Sequence, residues 1–247
     1  MTGFFTQEGL FRCEIRFTAA DLDSRGRVDP CSLLWQLQEI AAAHYEALGL
    51  GAALVASHGC FWALTRTEAE ILAPIPADAP LWLDTWSGRF GHGLYRRHYR
   101  LQTLSGDPIV RGVSVWVLMD KETRQLTADR SWMPDPVVIS QPEELTGARR
   151  LRFPVPEASL ERTVLPSETD QNGHLNNTVY YRWASDLLPG AFSAQYALRT
   201  LWVEYKKELP LGQTAQLEYS MSDRTLFLRG TAEGRESFLM RCEYDPI

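Results

Sequence analysis

The amino-acid sequence predicts an α+β protein made of two tandem units, each an antiparallel sheet wrapped around a long central helix. In the first half, one stretch with helical spacing is followed by four segments rich in aromatic and β-branched residues, with Gly or Pro between them. The same order of elements returns in the second half. A repeated order of this kind indicates an internal duplication.

The predicted first helix has clear start and stop signals. Asp29 can cap it, Pro30 fits its first turn, and Gly49 or Gly51 ends it. The apolar residues between follow helical spacing, which predicts a half-buried helix. They are Leu33, Leu37, Ile40, Ala41, His44 and Leu48.

After this helix the period changes from helical to extended. An N-terminal strand, FRCEIRF, precedes the helix, and four segments follow it: GCFWALTRTEAEILAPIP, APLWLDTWSGRF, GLYRRHYRLQTL and PIVRGVSVWVLMD. We expect them to form consecutive antiparallel strands that wrap around the helix.

The duplication can be written as two gapless alignments. DSRGRVDP (23–30) lies over DQNGHLNN (170–177), and EILAPIPADAPLWLD (70–84) lies over EYKKELPLGQTAQLE (204–218). We therefore predict an N-terminal unit over 1–130, a linker over 131–160 and a C-terminal unit over 161–247. The linker contains prolines that disfavour a central strand or helix, namely Pro134, Pro136, Pro142, Pro154 and Pro156.

Composition excludes several classes of protein. The formal charge of −6 argues against a nucleic-acid binder, and no apolar run approaches the ~20 residues of a membrane span. The first residues lack the pattern of a secretory signal, so we expect a cytoplasmic protein. The cysteines are scattered without a CxxC pair, which predicts reduced core thiols and no metal or disulfide framework. They are Cys13, Cys31, Cys60 and Cys242.

One polar stretch, TDQNGHLNNTVYYRWASDLLP (169–189), stands out. Asn, Asp and Gly favour turns and helix caps, and Asn176 and Asn177 are expected to act as caps. Alternatively, Asp170, Asn172 and His174 could point the same way from an extended segment, with Asn176, and converge on one substrate. The first copy has arginines where the second has Asn172 and His174, so only one site of this kind is expected.

This stretch resembles a motif of the acyl-ACP thioesterase family, whose plant and bacterial members carry two fused hotdog domains. The motif D-x-N-x-H-x-N-N matches Asp170 to Asn177, and Tyr180 and Trp183 follow on the helix. The later segment LWVEYKKELPLGQT is similar to the family's EYRRE segment, and Glu208 takes the place of its catalytic glutamate. Leu209 stands where plant members carry a cysteine.

The resemblance implies a thioesterase that hydrolyses fatty acyl-ACP to free fatty acid and holo-ACP and so terminates fatty acid synthesis. It implies that the partner is acyl carrier protein and that no cofactor is needed. It leaves open whether the protein forms a homodimer and how long the acyl chain is. An acyl-CoA thioesterase and a non-catalytic acyl-binding module remain alternatives. The implied site residues are Asp170, Asn172, His174 and Glu208 for catalysis, Trp35, Leu37 and Trp62 for the acyl pocket, and Arg96, Arg97, Arg149, Arg150 and Lys206 for the acidic carrier protein.

The chemistry of these residues fits thioester hydrolysis by water. Glu208 can act as general base, and His174 can orient the water or protonate the leaving thiolate. Asn172 can only form hydrogen bonds, while Asp170 could fix the histidine or attack the thioester directly. Strand alternation would place Lys206 on the same face as Glu208. Backbone N–H groups near Asn177 are further candidate donors to an oxyanion.

Overall fold

The computed structural model describes residues 1–127, 129–134, 137–139, 145–147 and 151–247. The chain divides into two units, 1–147 and 148–247. The predicted proline-rich linker therefore contributes to both, and the first strand of the second unit begins at Ala158.

The described residues of the first unit form an antiparallel sheet and two α-helices. Its strands lie in the order β1-β2-β4-β5-β6-β3. The strands are β1 (Phe4–Phe5), β2 (Phe11–Ile15), β3 (Cys60–Ile71), β4 (Leu81–Gly91), β5 (Leu94–Thr103) and β6 (Pro108–Asp120), and the helices are α1 (Pro30–Ala47) and α2 (Ala52–Ser57). The four predicted strands after the helix are thus confirmed as β3 to β6.

Helix α1 forms as its sequence predicts. The Asp29 carboxylate accepts a hydrogen bond from the backbone N–H of Cys31, and Pro30 occupies the first turn. The helix ends before Gly49, which has a positive φ of 72°. Its buried face lies over the sheet at Gly112, where a Cβ would stand 3.6 Å from Cδ1 of Leu37. The helix is therefore packed on β6 by side chains that the apolar spacing predicted.

The second unit repeats this plan. Its strands are β7 (Ala158–Thr163), β8 (Tyr196–Tyr205), β9 (Thr214–Ser222), β10 (Thr225–Ala232) and β11 (Arg235–Pro246). They lie in the antiparallel order β7-β9-β10-β11-β8, which is the order of β2-β4-β5-β6-β3 in the first unit. The shared order supports the internal duplication and confirms the α+β class.

The second unit departs from the prediction in the length of its helix. The segment after the polar stretch forms two short helices, α3 (Tyr180–Ser185) and α4 (Gly190–Gln195), and no long central helix like α1. Pro189 explains the break, because it disfavours helical geometry at the preceding residue and offers no N–H to continue the helix. α3 nevertheless buries Tyr180 and Trp183 in the core.

All four cysteines are buried and carry free thiols. Burial raises the pKa of the Cys13 thiol to about 11 and that of Cys242 to about 12. Over the described residues, the helices are too short or too polar to cross a lipid bilayer.

A buried ion cluster joins the strands of the first unit. Asp84 on β4 is fully buried and receives hydrogen bonds from Arg12 on β2 (2.6 and 2.9 Å) and from Arg100 on β5 (2.9 and 3.2 Å). Gln102 adds a donor at 3.2 Å. The carboxylate is therefore compensated by three side chains from two neighbouring strands.

We expect Asp84→Ala to lower the free energy of unfolding by about 3–5 kcal/mol, because it leaves Arg12 and Arg100 without their buried partner. Urea denaturation measures this loss. The control is Asp245→Ala, which removes an exposed carboxylate near Arg199 and Arg224 and should cost about 1 kcal/mol or less. Equal losses in the two variants would contradict a stabilising role for the cluster.

Candidate active site

The polar stretch of the second unit forms a tight turn closed by Asp170. Its carboxylate Oδ1 accepts hydrogen bonds from the backbone N–H groups of Asn172 (2.8 Å) and His174 (3.4 Å). The backbone N–H of Asp170 donates to the carbonyl of His174 at 2.9 Å. Gly173 has a φ of 77°, which a glycine adopts without strain. Asp170 thus acts first as the residue that shapes the turn.

The suggestion that alternate residues project from an extended segment is wrong, because the stretch is a turn. The side-chain amide of Asn172 points back to Oδ2 of Asp170 at 3.3 Å. The prediction that Asn176 and Asn177 cap the helix is wrong, because the N-cap of α3 is Val179; the side-chain oxygen of Asn176 instead accepts from the N–H and the hydroxyl of Thr178, both at 2.9 Å, in the turn before the helix. The side chain of Asn176 therefore stabilises the local backbone and does not point to a substrate site.

The first unit contains the same turn at the aligned residues. Asp23 accepts from the N–H groups of Arg25 (2.8 Å) and Arg27 (3.0 Å), and Gly26 has a φ of 76°. The backbone N–H of Asp23 donates to the carbonyl of Arg27 at 2.7 Å. The backbone of the turn is therefore common to both copies, while the side chains at its second and fourth positions after the aspartate differ.

In the second unit the turn is fastened to the segment that follows β8. The N–H of Leu175 donates to the carbonyl of Leu209 at 2.8 Å, and the N–H of Leu211 donates to the carbonyl of Gly173 at 2.9 Å. His174 lies opposite Pro210 in a β-bridge. These backbone contacts bring the imidazole of His174 to the carboxylate of Glu208.

His174 and Glu208 form the chemical centre of the candidate site. Nε2 of His174 lies 3.5 Å from Oε2 of Glu208, and their side chains are 26% and 43% exposed. The pair is thus accessible to water and to a substrate. A carboxylate beside an imidazole is a common arrangement for general acid–base catalysis.

Glu208 does not lie on a strand, so the predicted alternation of Lys206 and Lys207 is wrong. β8 ends at Tyr205, and the backbone N–H groups of both lysines donate to the carbonyl of Ser237, at 2.8 and 3.0 Å. The ammonium of Lys206 pairs with Glu236, and that of Lys207 lies 2.8 Å from Glu233.

Leu209 is fully buried. Its backbone carbonyl accepts the hydrogen bond from the N–H of Leu175 described above, so Leu209 helps to hold the turn in place. A side chain at this position is enclosed by the core of the second unit.

Two tyrosines line the base of the site. The hydroxyl of Tyr205 donates to the carbonyl of Asn177 at 3.0 Å, and its ring meets that of Tyr180 edge-on at 5.2 Å. Burial raises the pKa of Tyr180, with further contributions from the nearby Tyr205, Glu208 and Asp170. Tyr180 is therefore a neutral, buried neighbour of both carboxylates. Within the described residues, the backbone N–H of Asn177 makes no hydrogen bond, so it is available as a donor.

A buried carboxylate outside the predicted set supports the turn. Glu168 receives hydrogen bonds from the indole of Trp183 (2.9 Å), the guanidinium of Arg162 (2.9 Å) and the N–H of Leu165 (3.0 Å). Its carbonyl accepts from the N–H of Asn176 at 2.9 Å. A sequence signal existed, because the aligned residue of the first unit, two positions before Asp23, is also an acid.

The predicted carrier-binding residues have different environments. Arg97 is 2% exposed, so the prediction that it contacts a carrier protein is wrong: on β5 its side chain points to the helix, not to solvent. Arg96 is partly exposed and donates to the carbonyls of Thr146 and Arg89, both at 3.4 Å. Arg149 and Arg150 lie outside the described residues.

The first unit contains a cavity of about 330 Å³. None of the predicted acyl-pocket residues lines it. Trp35 is 48% exposed on α1, Leu37 is buried against the sheet, and Trp62 packs behind the cavity wall, stacked on Tyr45 at 5.4 Å. Their role in acyl binding stays a prediction. Among the described residues, no cluster of His, Cys, Asp or Glu has the arrangement of a metal site.

Comparison with known proteins gives matches over most of the chain. The family model described as the acyl-ACP thioesterase N-terminal domain matches residues 10–130, and the model of the acyl-ACP thioesterase C-terminal domain matches residues 157–240. Among curated relatives, a chloroplastic palmitoyl-acyl carrier protein thioesterase of Arabidopsis thaliana is 26% identical over 83% of this chain and 54% of its own length. A chloroplastic oleoyl-acyl carrier protein thioesterase of Coriandrum sativum is 23% identical over 83% of this chain and 61% of its own. The chain thus spans little more than half the length of these relatives.

Solved structures confirm the fold. An acyl-ACP thioesterase from Bacteroides thetaiotaomicron superposes with a TM-score of 0.84 at 19% identity, covering 96% of this chain and 98% of that one. A 12:0-ACP thioesterase from Umbellularia californica gives a TM-score of 0.83 at 18% identity with the same coverage. The hotdog architecture expected from the motif is therefore confirmed.

Glu168 provides a test of how the turn depends on pH. Burial acts to raise the pKa of Glu168, but hydrogen bonds from Leu165, Trp183 and Arg162 together hold it below its ordinary value of 4.5. Because the folded pKa is depressed, its contribution to stability is complete above pH 4.5 and is lost as the pH falls through the folded value.

We therefore expect Glu168→Gln to reduce the loss of unfolding free energy between pH 5 and pH 3, and to destabilise the protein by about 1–3 kcal/mol at neutral pH. Chemical denaturation at each pH measures both effects. Glu161→Gln, an exposed carboxylate on β7, is the control. A pH dependence unchanged by Glu168→Gln would rule out this role.

Proposed function

Because the chain belongs to the acyl-ACP thioesterase family, we propose that it hydrolyses fatty acyl-ACP to a free fatty acid and holo-ACP. The observation that carries the proposal is the His174–Glu208 pair at 3.5 Å, fixed by the backbone contacts of the Asp170 turn. This pair supplies acid–base groups at a position open to solvent.

The proposed reaction uses water as nucleophile. Glu208 takes a proton from the water as its oxygen attacks the thioester carbon, and the carbonyl oxygen becomes an oxyanion. The available N–H of Asn177 is the candidate donor to that oxyanion. Cleavage of the carbon–sulfur bond then releases the thiolate, which receives a proton from the His174–Glu208 pair.

We also propose separate roles for the polar residues of the turn. Oδ1 of Asp170 is engaged by two backbone N–H groups, which favours a positioning role over direct attack on the thioester. Asn172, held to Asp170 through its side chain, orders the outer edge of the turn. Both residues would thus keep His174 in place for the reaction.

The proposed mechanism needs no thiol. Because Leu209 is fully buried and its carbonyl holds the turn, a cysteine at this position would lie in the core and not beside the substrate. Water activation by Glu208 remains possible with a leucine here.

We expect Glu208→Gln to lower kcat by about a hundredfold or more, because glutamine keeps the shape of the side chain but cannot accept the proton. Leu209→Cys should change kcat little. Steady-state release of holo-ACP measures both, with Glu236→Gln as a control for loss of a nearby carboxylate. If Leu209→Cys raised the rate strongly while Glu208→Gln retained the native rate, the carboxylate mechanism would be wrong.

The duplicated turn provides matched controls for its polar side chains. His174→Ala and Asn172→Ala should each lower kcat by about a hundredfold, while unfolding free energies fall by only about 1 kcal/mol. Arg27→Ala and Arg25→Ala change the aligned positions of the first unit and should leave kcat near the native value. Full activity of a folded His174→Ala protein would remove this residue from the site.

The carrier can be tested through charge. Acyl carrier protein is acidic, so added salt should weaken hydrolysis of acyl-ACP more than hydrolysis of acyl-CoA. Arg96→Glu should raise KM for acyl-ACP, whereas Arg235→Glu, with the same change in net charge, should not. A preference for acyl-CoA, or no hydrolysis of either substrate, would favour the acyl-CoA thioesterase or the acyl-binding module instead.

A further inference from the structure

The buried end of the cavity in the first unit carries polar groups that the proposed hydrolysis does not use. Its wall is largely apolar and includes Phe5, Leu48, Leu50, Met133 and Ile139. His44 and Ser87, both buried, interrupt this apolar wall. Arg97 lies directly behind His44 and pairs across the strands with Ser87.

Arg97 is a buried cation without a carboxylate partner among the described residues. Its Nη1 donates to Nδ1 of His44 at 2.7 Å and to the hydroxyl of Thr85 at 3.3 Å, and the guanidinium lies 4.4 Å from the ring of Tyr45. Nη2 is buried and makes no hydrogen bond to a described residue. Guanidinium groups keep their charge in proteins, and a buried charge is costly unless an anion compensates it.

The contact with Arg97 also fixes the state of His44. Because Arg97 can only donate, Nδ1 of His44 accepts and the proton of the neutral ring lies on Nε2. Burial and the adjacent guanidinium lower the pKa of His44 to about 3, so the ring is neutral at physiological pH. Among the described residues, neither Nε2 of His44 nor the hydroxyl of Ser87 has a hydrogen-bond partner.

We propose that this cavity binds a carboxylate with an apolar tail, with the carboxylate at His44 and Ser87 beside Arg97 and the tail along the apolar wall. The two side chains offer donors, and Arg97 supplies the positive charge that selects an anion over a neutral head group. Glu8 also lines the cavity, but it is exposed, whereas His44 and Ser87 are buried.

The proposed carboxylate site takes no part in the hydrolysis, so it is tested by measuring ligand binding. The probe is decanoate, compared with 1-decanol as a neutral molecule of the same chain length, using quenching of tyrosine and tryptophan fluorescence. We expect the native protein to bind decanoate at least about tenfold more tightly than decanol. Equal affinities, or no binding of decanoate, would overturn the proposal.

The variants test the role of the charge. Arg97→Met, which keeps most of the side-chain volume, should weaken decanoate binding by about thirtyfold or more and abolish its preference over decanol. Arg96→Met changes the neighbouring residue, which donates to loop carbonyls, and should retain the preference. If Arg97→Met does not fold by circular dichroism, Ser87→Ala should still reduce the preference by about tenfold. A preserved preference in the folded variant tested would overturn the proposal.

A fatty carboxylate is also the product of the hydrolysis proposed above, so the two ideas are separated with Glu208→Gln. This variant should bind decanoate with native affinity whether or not the protein is a thioesterase. Loss of binding in Glu208→Gln would place the probe in the second unit and would overturn the assignment to the first.

Discussion

The candidate site depends on one interaction, the acceptance of backbone N–H groups by the Asp170 carboxylate. This interaction closes the turn, and the closed turn presents its backbone to the residues after β8. These backbone contacts place the imidazole of His174 next to the carboxylate of Glu208, although 33 residues lie between them in the chain. The hydrogen bonds of one carboxylate thus determine where the imidazole and the second carboxylate of the candidate site lie.

The duplication separates the framework of the turn from its chemistry. The hydrogen bonds that close the turn use the aspartate and the backbone, and they are present in both units. The side chains at the variable positions add different contacts to this common backbone: the guanidinium of Arg27 donates to Oδ2 of Asp23 at 3.3 Å, and the amide of Asn172 donates to Oδ2 of Asp170 at 3.3 Å. The backbone closure of the turn is therefore compatible with different side chains at these positions, as the two copies show.

The parts of the fold that could be predicted from sequence are those fixed by local chemistry. The capped helix α1, strands β3 to β6 and the repeated turn all follow from spacing, caps and glycine positions. The long helix that the repeat predicted in the second unit was wrong, because Pro189 interrupts the segment between α3 and α4. The alternation assumed around Glu208 was also wrong, because β8 ends where the backbone turns to the carbonyl of Ser237, a residue distant in sequence. Burial of Arg97 depends on its packing under α1, which no local pattern of arginines reveals.

The burial of every cysteine has a consequence for how the protein would meet oxidative stress. Only thiolates react readily with peroxides and alkylating agents, and the raised pKa values of Cys13 and Cys242 keep these groups protonated inside the core. The proposed reaction uses an imidazole and a carboxylate, which such reagents attack far less readily than they attack a thiolate. Its rate would then be insensitive to the redox state of the surroundings, a property that a mechanism with a cysteine nucleophile could not provide.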